Sequence, residues 1–127
     1  MYKFLSNIFN ISALLLVVIS IWPGSLLGYL FHGDWSQEVV LYANSSLLTF
    51  NHFFAYLYTS LLGFFVYLNN KNFNKIALGF FCVSAILEAI HIIIPNRSFE
   101  FTDLISNILG VIVAYCLIRI YLLFNKI

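Results

Sequence analysis

Four apolar stretches, each close to the ~20 residues a helix needs to cross a bilayer, divide this chain at residues 11–30, 50–68, 76–94 and 103–123. Barrel strands span hydrocarbon in only ~9–11 residues, so segments this long are not strands. In lipid a span must satisfy its own backbone N–H and C=O groups, and at this length a helix does so. The sequence therefore predicts an all-α polytopic membrane protein, one domain over residues 1–127 built as a bundle of four transmembrane helices. Composition agrees: 62% of the residues are hydrophobic, 9% are charged and the mean hydropathy is +0.96. A soluble domain carries about 25% charged residues. The net charge of +1, with no basic patch, excludes a nucleic-acid partner. No Gly-rich phosphate loop, CxxC pair or HExxH helix appears, and Cys82 and Cys116 sit inside apolar runs as small hydrophobic side chains.

The connections carry the remaining signals. Lys3 ahead of an apolar run raises a secretory signal as a competing reading, but no A-x-A-like site follows. Pro23 with Gly24 better suits a kinked or terminating first span. The stretch from Phe31 to Leu47, with Trp35, Tyr42, Asp34 and Glu38, suits an interfacial segment lying at headgroup level. Lys3, Lys71, Lys75 and Lys126 fall on one side of the expected bundle, and Arg97 alone falls on the other. Arg119, in the last turns of the fourth span, can snorkel. This bias predicts that both termini are cytoplasmic. Asp34, Glu38, Glu88, Glu100 and Asp103, all the acidic residues, then belong to the outer half.

Polar residues gather where the third and fourth spans meet. Counted back from Pro95, Glu88 lies about 10 Å below the expected end of its span, where an ionised side chain costs at least about 2.5–3.5 kcal/mol and needs a partner or a wet cavity. His91 at i+3 shares its face. Asp103, Asn107, Gly110 and Ala114 form a stripe on the fourth span, with Asp103 placed to cap the helix start. Gly110 with Ala114 makes a small-xxx-small packing pair. On the second span His52, Tyr56, Thr59 and Gly63 share a face, Gly63 again as a packing position. Arg97, in the short loop between the last two spans, is expected to pair with Glu88 or Asp103. Three spans thus bring His52, Glu88, His91, Arg97, Asp103 and Asn107 to one end as a candidate ligand pocket. The duller readings are headgroup anchoring for His52 and a structural pair for Glu88 and His91. Glu-x-x-His also occurs in di-iron bundles, but these need a second copy and further carboxylates that the chain lacks. A zinc site from His52, His91 and Glu88 is conceivable, yet the expectation is no metal and no cofactor.

The pattern E-x-x-H-x-x-x-P-x-R (Glu88, His91, Pro95, Arg97) followed by D-x-x-x-N-x-x-G (Asp103, Asn107, Gly110) resembles the signature of the VanZ-like membrane proteins. HFFAY from His52 to Tyr56, and Pro23 near the end of the first span, resemble it too, so the likeness covers about residues 11–123. Two positions depart: family members usually carry Gln where His91 stands, and an Asp-Lys pair where Leu48 and Thr49 stand. The family takes its name from a protein of glycopeptide-resistance clusters linked to low-level teicoplanin resistance. The resemblance implies a bacterial inner-membrane protein of the cell envelope and names no reaction.

Three functions follow as expectations. The first is binding of an anionic, lipid-linked or headgroup ligand at an outward-facing polar pocket, with Arg97 gripping phosphate or carboxylate. The second is an intramembrane enzyme, a phosphatase or transferase, with His91 or His52 as base or nucleophile oriented by Glu88. The third is a small assembly or transporter subunit whose stripes bind neighbouring helices. Membrane lipids are the expected partners, and four spans also suit a homo-oligomer or a larger membrane complex.

Overall fold

The structure is a computed structural model and describes residues 2–37, 39 and 48–125. Glu38, Tyr42 and Lys126, named above for the interfacial segment and for orientation, lie outside the described residues. Among those residues the regular elements are five helices: α1 (Tyr2–Ile21), α2 (Leu26–His32), α3 (Phe50–Val66), α4 (Phe73–Ile90) and α5 (Phe101–Asn125).

Three of these, α1 from Lys3, α4 and α5, are long and apolar enough to cross a membrane. Helix α3 has 17 residues, about 26 Å at 1.5 Å per residue, just short of a ~30 Å hydrocarbon core. The expected second span, residues 50–68, stops early because Tyr67 leaves helical geometry.

The first helix is displaced from its expected place at residues 11–30. It begins at Tyr2 because its backbone bonding continues through Lys3, Ser6, Asn7 and Asn10, polar residues that dilute hydropathy without breaking a helix. It ends at Ile21 because Pro23 disfavours helical geometry at the residue before it and Gly24 turns the chain at φ +79°. The short α2 follows, its start capped by Ser25, whose hydroxyl accepts the Gly28 N–H at 2.9 Å. Gly33 at φ +72° closes it with a bond to the Tyr29 carbonyl. Trp35 then folds back, its carbonyl accepting from Ser25 N at 2.8 Å and its ring stacking on Tyr29 and Trp22. Such aromatic clusters suit a membrane–water interface. The exposed Asp34 carboxylate accepts from the Ser36 N–H and hydroxyl, which holds it below the usual carboxylate range.

The long helices run up and down. Ser20 and Ile19 of α1 meet His91 and Arg97 beyond the end of α4, so these two helices point the same way. Thr49 and His52 at the start of α3 meet Asp103, Ser106 and Asn107 at the start of α5, so those two are parallel to each other and opposite to the first pair. The α3–α5 contact is the tightest. A Cβ on Gly110 would come 2.6 Å from the Phe53 carbonyl oxygen and 2.9 Å from the Leu57 nitrogen. Ala114, one turn on, is fully buried in the core with Tyr56, Phe64, Val111 and Ile118. Gly63 lies under the rings of Phe9 and Phe80, which join α1 and α4 to α3.

The polarity of this bundle is inverted. Ser60, Ser84, Glu88, Ser106 and Asn107 are buried, while Leu14, Leu78, Ile86, Ile93 and Leu123 are more than half exposed. Water would penalise so much contiguous apolar surface; hydrocarbon does not. The chain is a membrane protein.

Candidate functional site

Helix α4 ends at Ile90, one turn before the expected residue 94, and His91 to Ile93 continue as tight turns toward Asn96 at φ +59°. Glu88 therefore sits in the last turn of α4 rather than 10 Å below the end of the segment. That position sets its problem. It is a carboxylate, 1% exposed, at a helix C-terminus where the dipole is negative.

Its neighbours answer with three donors. Oε1 lies 3.2 Å from His91 Nδ1 and accepts the Glu100 N–H at 3.3 Å; Oε2 accepts from Asn107 Nδ2 at 3.2 Å. The other imidazole nitrogen of His91, Nε2, lies 3.0 Å from the Ser20 carbonyl. A carbonyl only accepts, so Nε2 carries a hydrogen. A proton must then lie between Nδ1 and Oε1, and the pair as a unit is electrically neutral whichever atom holds it.

Asn107 passes this constraint onward. With its Nδ2 committed to Glu88, its Oδ1 faces His52 Nδ1 at 3.1 Å, which must donate. His52 Nε2 then faces Asp103 Oδ2 at 3.4 Å, an approach that is favourable when one of the two holds a proton. The other Asp103 oxygen accepts from the Thr49 hydroxyl at 2.6 Å, and Thr49 N–H donates to Ser106 Oγ at 2.8 Å. Asp103 lies in the first turn of α5, near the helix start as expected, and directs its oxygens at Thr49 and His52. Two imidazole–carboxylate pairs are thus linked through one amide.

Arg97 also departs from expectation. Among the described residues it pairs with neither Glu88 nor Asp103. Its Nε–H donates to the Trp22 carbonyl at 3.3 Å and its Nη2 to the Ile19 carbonyl at 3.0 Å. With His91 on Ser20, two side chains from beyond α4 satisfy carbonyls that the end of α1 leaves free, where cationic groups complement the dipole. Nη1 makes no bond among the described residues.

A cavity of about 240 Å3 opens at this end, with His52, Tyr56, His91, Arg97, Glu100 and Asp103 on its wall. Of the six expected pocket residues, His52, His91, Arg97 and Asp103 face it, while Glu88 and Asn107 stand behind it. Both nitrogens of His91 are engaged, so it contributes position more than contact. His52 and Asp103, with side chains 27% and 13% exposed, and the Arg97 Nη1, unbonded among the described residues, are the groups a ligand can reach. His52, Glu88 and Asp103 each offer a ligand atom within 4.8 Å of the others, a spacing that could hold a cation. Glu88 already accepts three bonds and His52 Nδ1 is held by Asn107, so a cation there would compete with this hydrogen-bond network. Thr49, Ser106 and the Ser20 carbonyl were not foreseen as parts of the site. Ser106 had a faint signal, lying at i+3 from Asp103.

No curated protein and no solved structure matches the chain. The family model described as VanZ/LLP1 matches residues 4–124, nearly the whole length. With Glu88, His91, Arg97, Asp103 and Asn107 all inside that match, the chain belongs to the VanZ/LLP1 family.

Proposed function

We propose that this protein is a multi-pass protein of the bacterial inner membrane that binds the anionic headgroup of a lipid or lipid-linked envelope precursor in the cavity at the His52–Arg97 end. The carrying observation is the convergence there of an arginine whose Nη1 makes no bond among the described residues and the parallel N-termini of α3 and α5. Guanidinium suits bidentate recognition of phosphate or carboxylate, and helix N-termini add partial positive charge. Asp103 and Glu100, on the same wall, would accept hydroxyl or ammonium groups of that headgroup. Glu88, His91 and Asn107 hold the wall in place. A cell-envelope role follows, and glycopeptide susceptibility is the phenotype to read.

In this reading α3 crosses the membrane as well, as the second of four spans, both termini are cytoplasmic and the cavity faces outward, as the lysine bias requires. In a variant lacking Cys82 and Cys116, Asn96→Cys should react with an impermeant maleimide in intact cells. Asn72→Cys should react only after lysis. Labelling in the opposite pattern would invert the orientation.

Arg97→Lys tests the ligand. An ammonium can still cap one α1 carbonyl, so stability in detergent should fall only slightly, by about 1 kcal/mol of lost hydrogen bonding. Retention of phosphatidylglycerol, followed by native mass spectrometry, should drop about tenfold, as expected for losing a bidentate grip worth about 1.4 kcal/mol. Unchanged retention would leave Arg97 as a helix cap alone and overturn the reading. A second function rests on the cavity-facing His52: with Nδ1 held by Asn107, its Nε2 is the nitrogen that would take a proton from a substrate, in exchange for its approach to Asp103. Turnover of a labelled lipid phosphate that His52→Ala abolishes would make the protein an enzyme.

A further inference from the structure

We infer that the ligand is an amphiphile whose hydrocarbon chain lies in a groove between α1, α3 and α4, continuous with the headgroup cavity; this rests on the function proposed above. A second cavity of about 310 Å3 lies deeper in the bundle. It shares two wall residues, Leu16 and Tyr56, with the polar one. Apart from Thr59 and Ser60, the remaining wall is apolar, with Phe9, Val17, Phe80 and Leu87 among it. Polarity therefore falls along one path, from Arg97 and His52 at the end of the bundle, past Tyr56, to hydrocarbon side chains.

Two features identify the occupant as a lipid chain. Along α4 the groove reaches from Ile76 to Leu87, about 16 Å of helix, close to the depth of one leaflet in a ~30 Å hydrocarbon core. Gly79 on its wall is exposed, and a Cβ there would meet nothing within 4 Å. The groove is thus open at α4 to the bundle's lipid-facing surface, so a chain can enter sideways while its headgroup settles in the cavity. Apolar contact alone gives little preference for a groove over bulk lipid. The covalent link between head and chain supplies it, since a bound headgroup holds the chain at the groove mouth.

Filling the groove from Gly79 tests this without touching the polar wall. Dipalmitoyl phosphatidylglycerol and its dibutyryl analogue carry the same headgroup and differ in chain length. Each would be added to the purified protein in mild detergent and followed by native mass spectrometry. Gly79→Phe should lower retention of the dipalmitoyl form about tenfold and leave the dibutyryl form unchanged, with an unaltered melting temperature. Val83→Trp, on the same wall, should do the same. Equal retention of the dipalmitoyl form by wild type and both variants would overturn the groove while the headgroup site stands. Loss of a dimer mass in the variants, with lipid retention intact, would assign the groove to a second copy of the chain and overturn it too. A wild-type protein that retains neither form would remove the headgroup reading and the groove with it.

Discussion

Glu88→Leu is expected to lower the stability of the detergent-solubilised protein by about 3–5 kcal/mol, the cost of removing one member of a buried, paired charge network. In hydrocarbon a leucine would ordinarily be the better residue, so the sign of this effect is informative. The loss comes from what the carboxylate leaves behind. His91 keeps its Ser20 bond but loses the partner at Nδ1. Asn107 Nδ2 and the Glu100 N–H lose their acceptors. Each of those groups is costly to bury unpaired, about 1–3 kcal/mol apiece. A thermal melt that rose on Glu88→Leu would show that Glu88 is incidental to the fold.

Glu88→Gln separates shape from charge. With the glutamine oxygen on the Glu100 N–H, a neutral His91 donates to it only from Nδ1 and gives up its Nε2–H bond to Ser20, and the glutamine NH2 stands opposite Asn107 Nδ2, donor against donor. Asn107 escapes by turning over, and its Nδ2 then faces His52 Nδ1, which must accept, so the imidazole hydrogen stands on Nε2 toward Asp103. The bond to Asp103 survives this exchange while the tautomer of the cavity-facing imidazole changes. The fold should therefore persist with a loss of about 1–2 kcal/mol. Nitrogen NMR of His52 should report the change of tautomer, and an unchanged His52 spectrum would break the proposed linkage through Asn107.

What the sequence disclosed and what it hid divide along physical lines. Apolar length announces helices in lipid because the backbone has no other way to satisfy itself, and α4 and α5 stand close to their expected places. The Glu88–His91 contact is legible because i and i+3 meet on any helix. Depth was harder. The effect of Pro95 reaches back a full turn, so Glu88 lies nearer the helix end than counting from the proline implies. Arg97 was misread because its partners are the carbonyls of Ile19 and Trp22, and backbone acceptors have no residue signature. Thr49 stands out in the sequence only as a departure from the family pattern; its link to Asp103 is hidden because it spans 54 positions and joins the starts of two helices, which only their parallel packing brings together. That packing in turn depends on one residue without a side chain.

Gly110→Ala is expected to separate α3 from α5. The added methyl would sit 2.6 Å from the Phe53 carbonyl oxygen, 2.9 Å from the Leu57 nitrogen and 3.1 Å from the Tyr56 Cβ. Two of these are backbone atoms of a helix, which cannot swing away as the tip of a side chain can. Relief requires moving α3 as a body, and overpacking of this kind costs about 1–3 kcal/mol. Without a strong hydrophobic drive between helices in lipid, close van der Waals contact is much of what holds them. The displacement also reaches the site, because Asn107 lies one turn before Gly110 and bonds to His52 three residues before Ala55 on the facing helix. Gly110→Ala should thus lower the melting temperature and weaken phosphatidylglycerol retention together. Gly79→Ala is the matched control, since its methyl enters open space and should leave the melting temperature unchanged or slightly raised, Ala being the better helix former by about 1 kcal/mol. If the two variants melted alike, close approach of α3 and α5 would not be what positions His52 against Asn107.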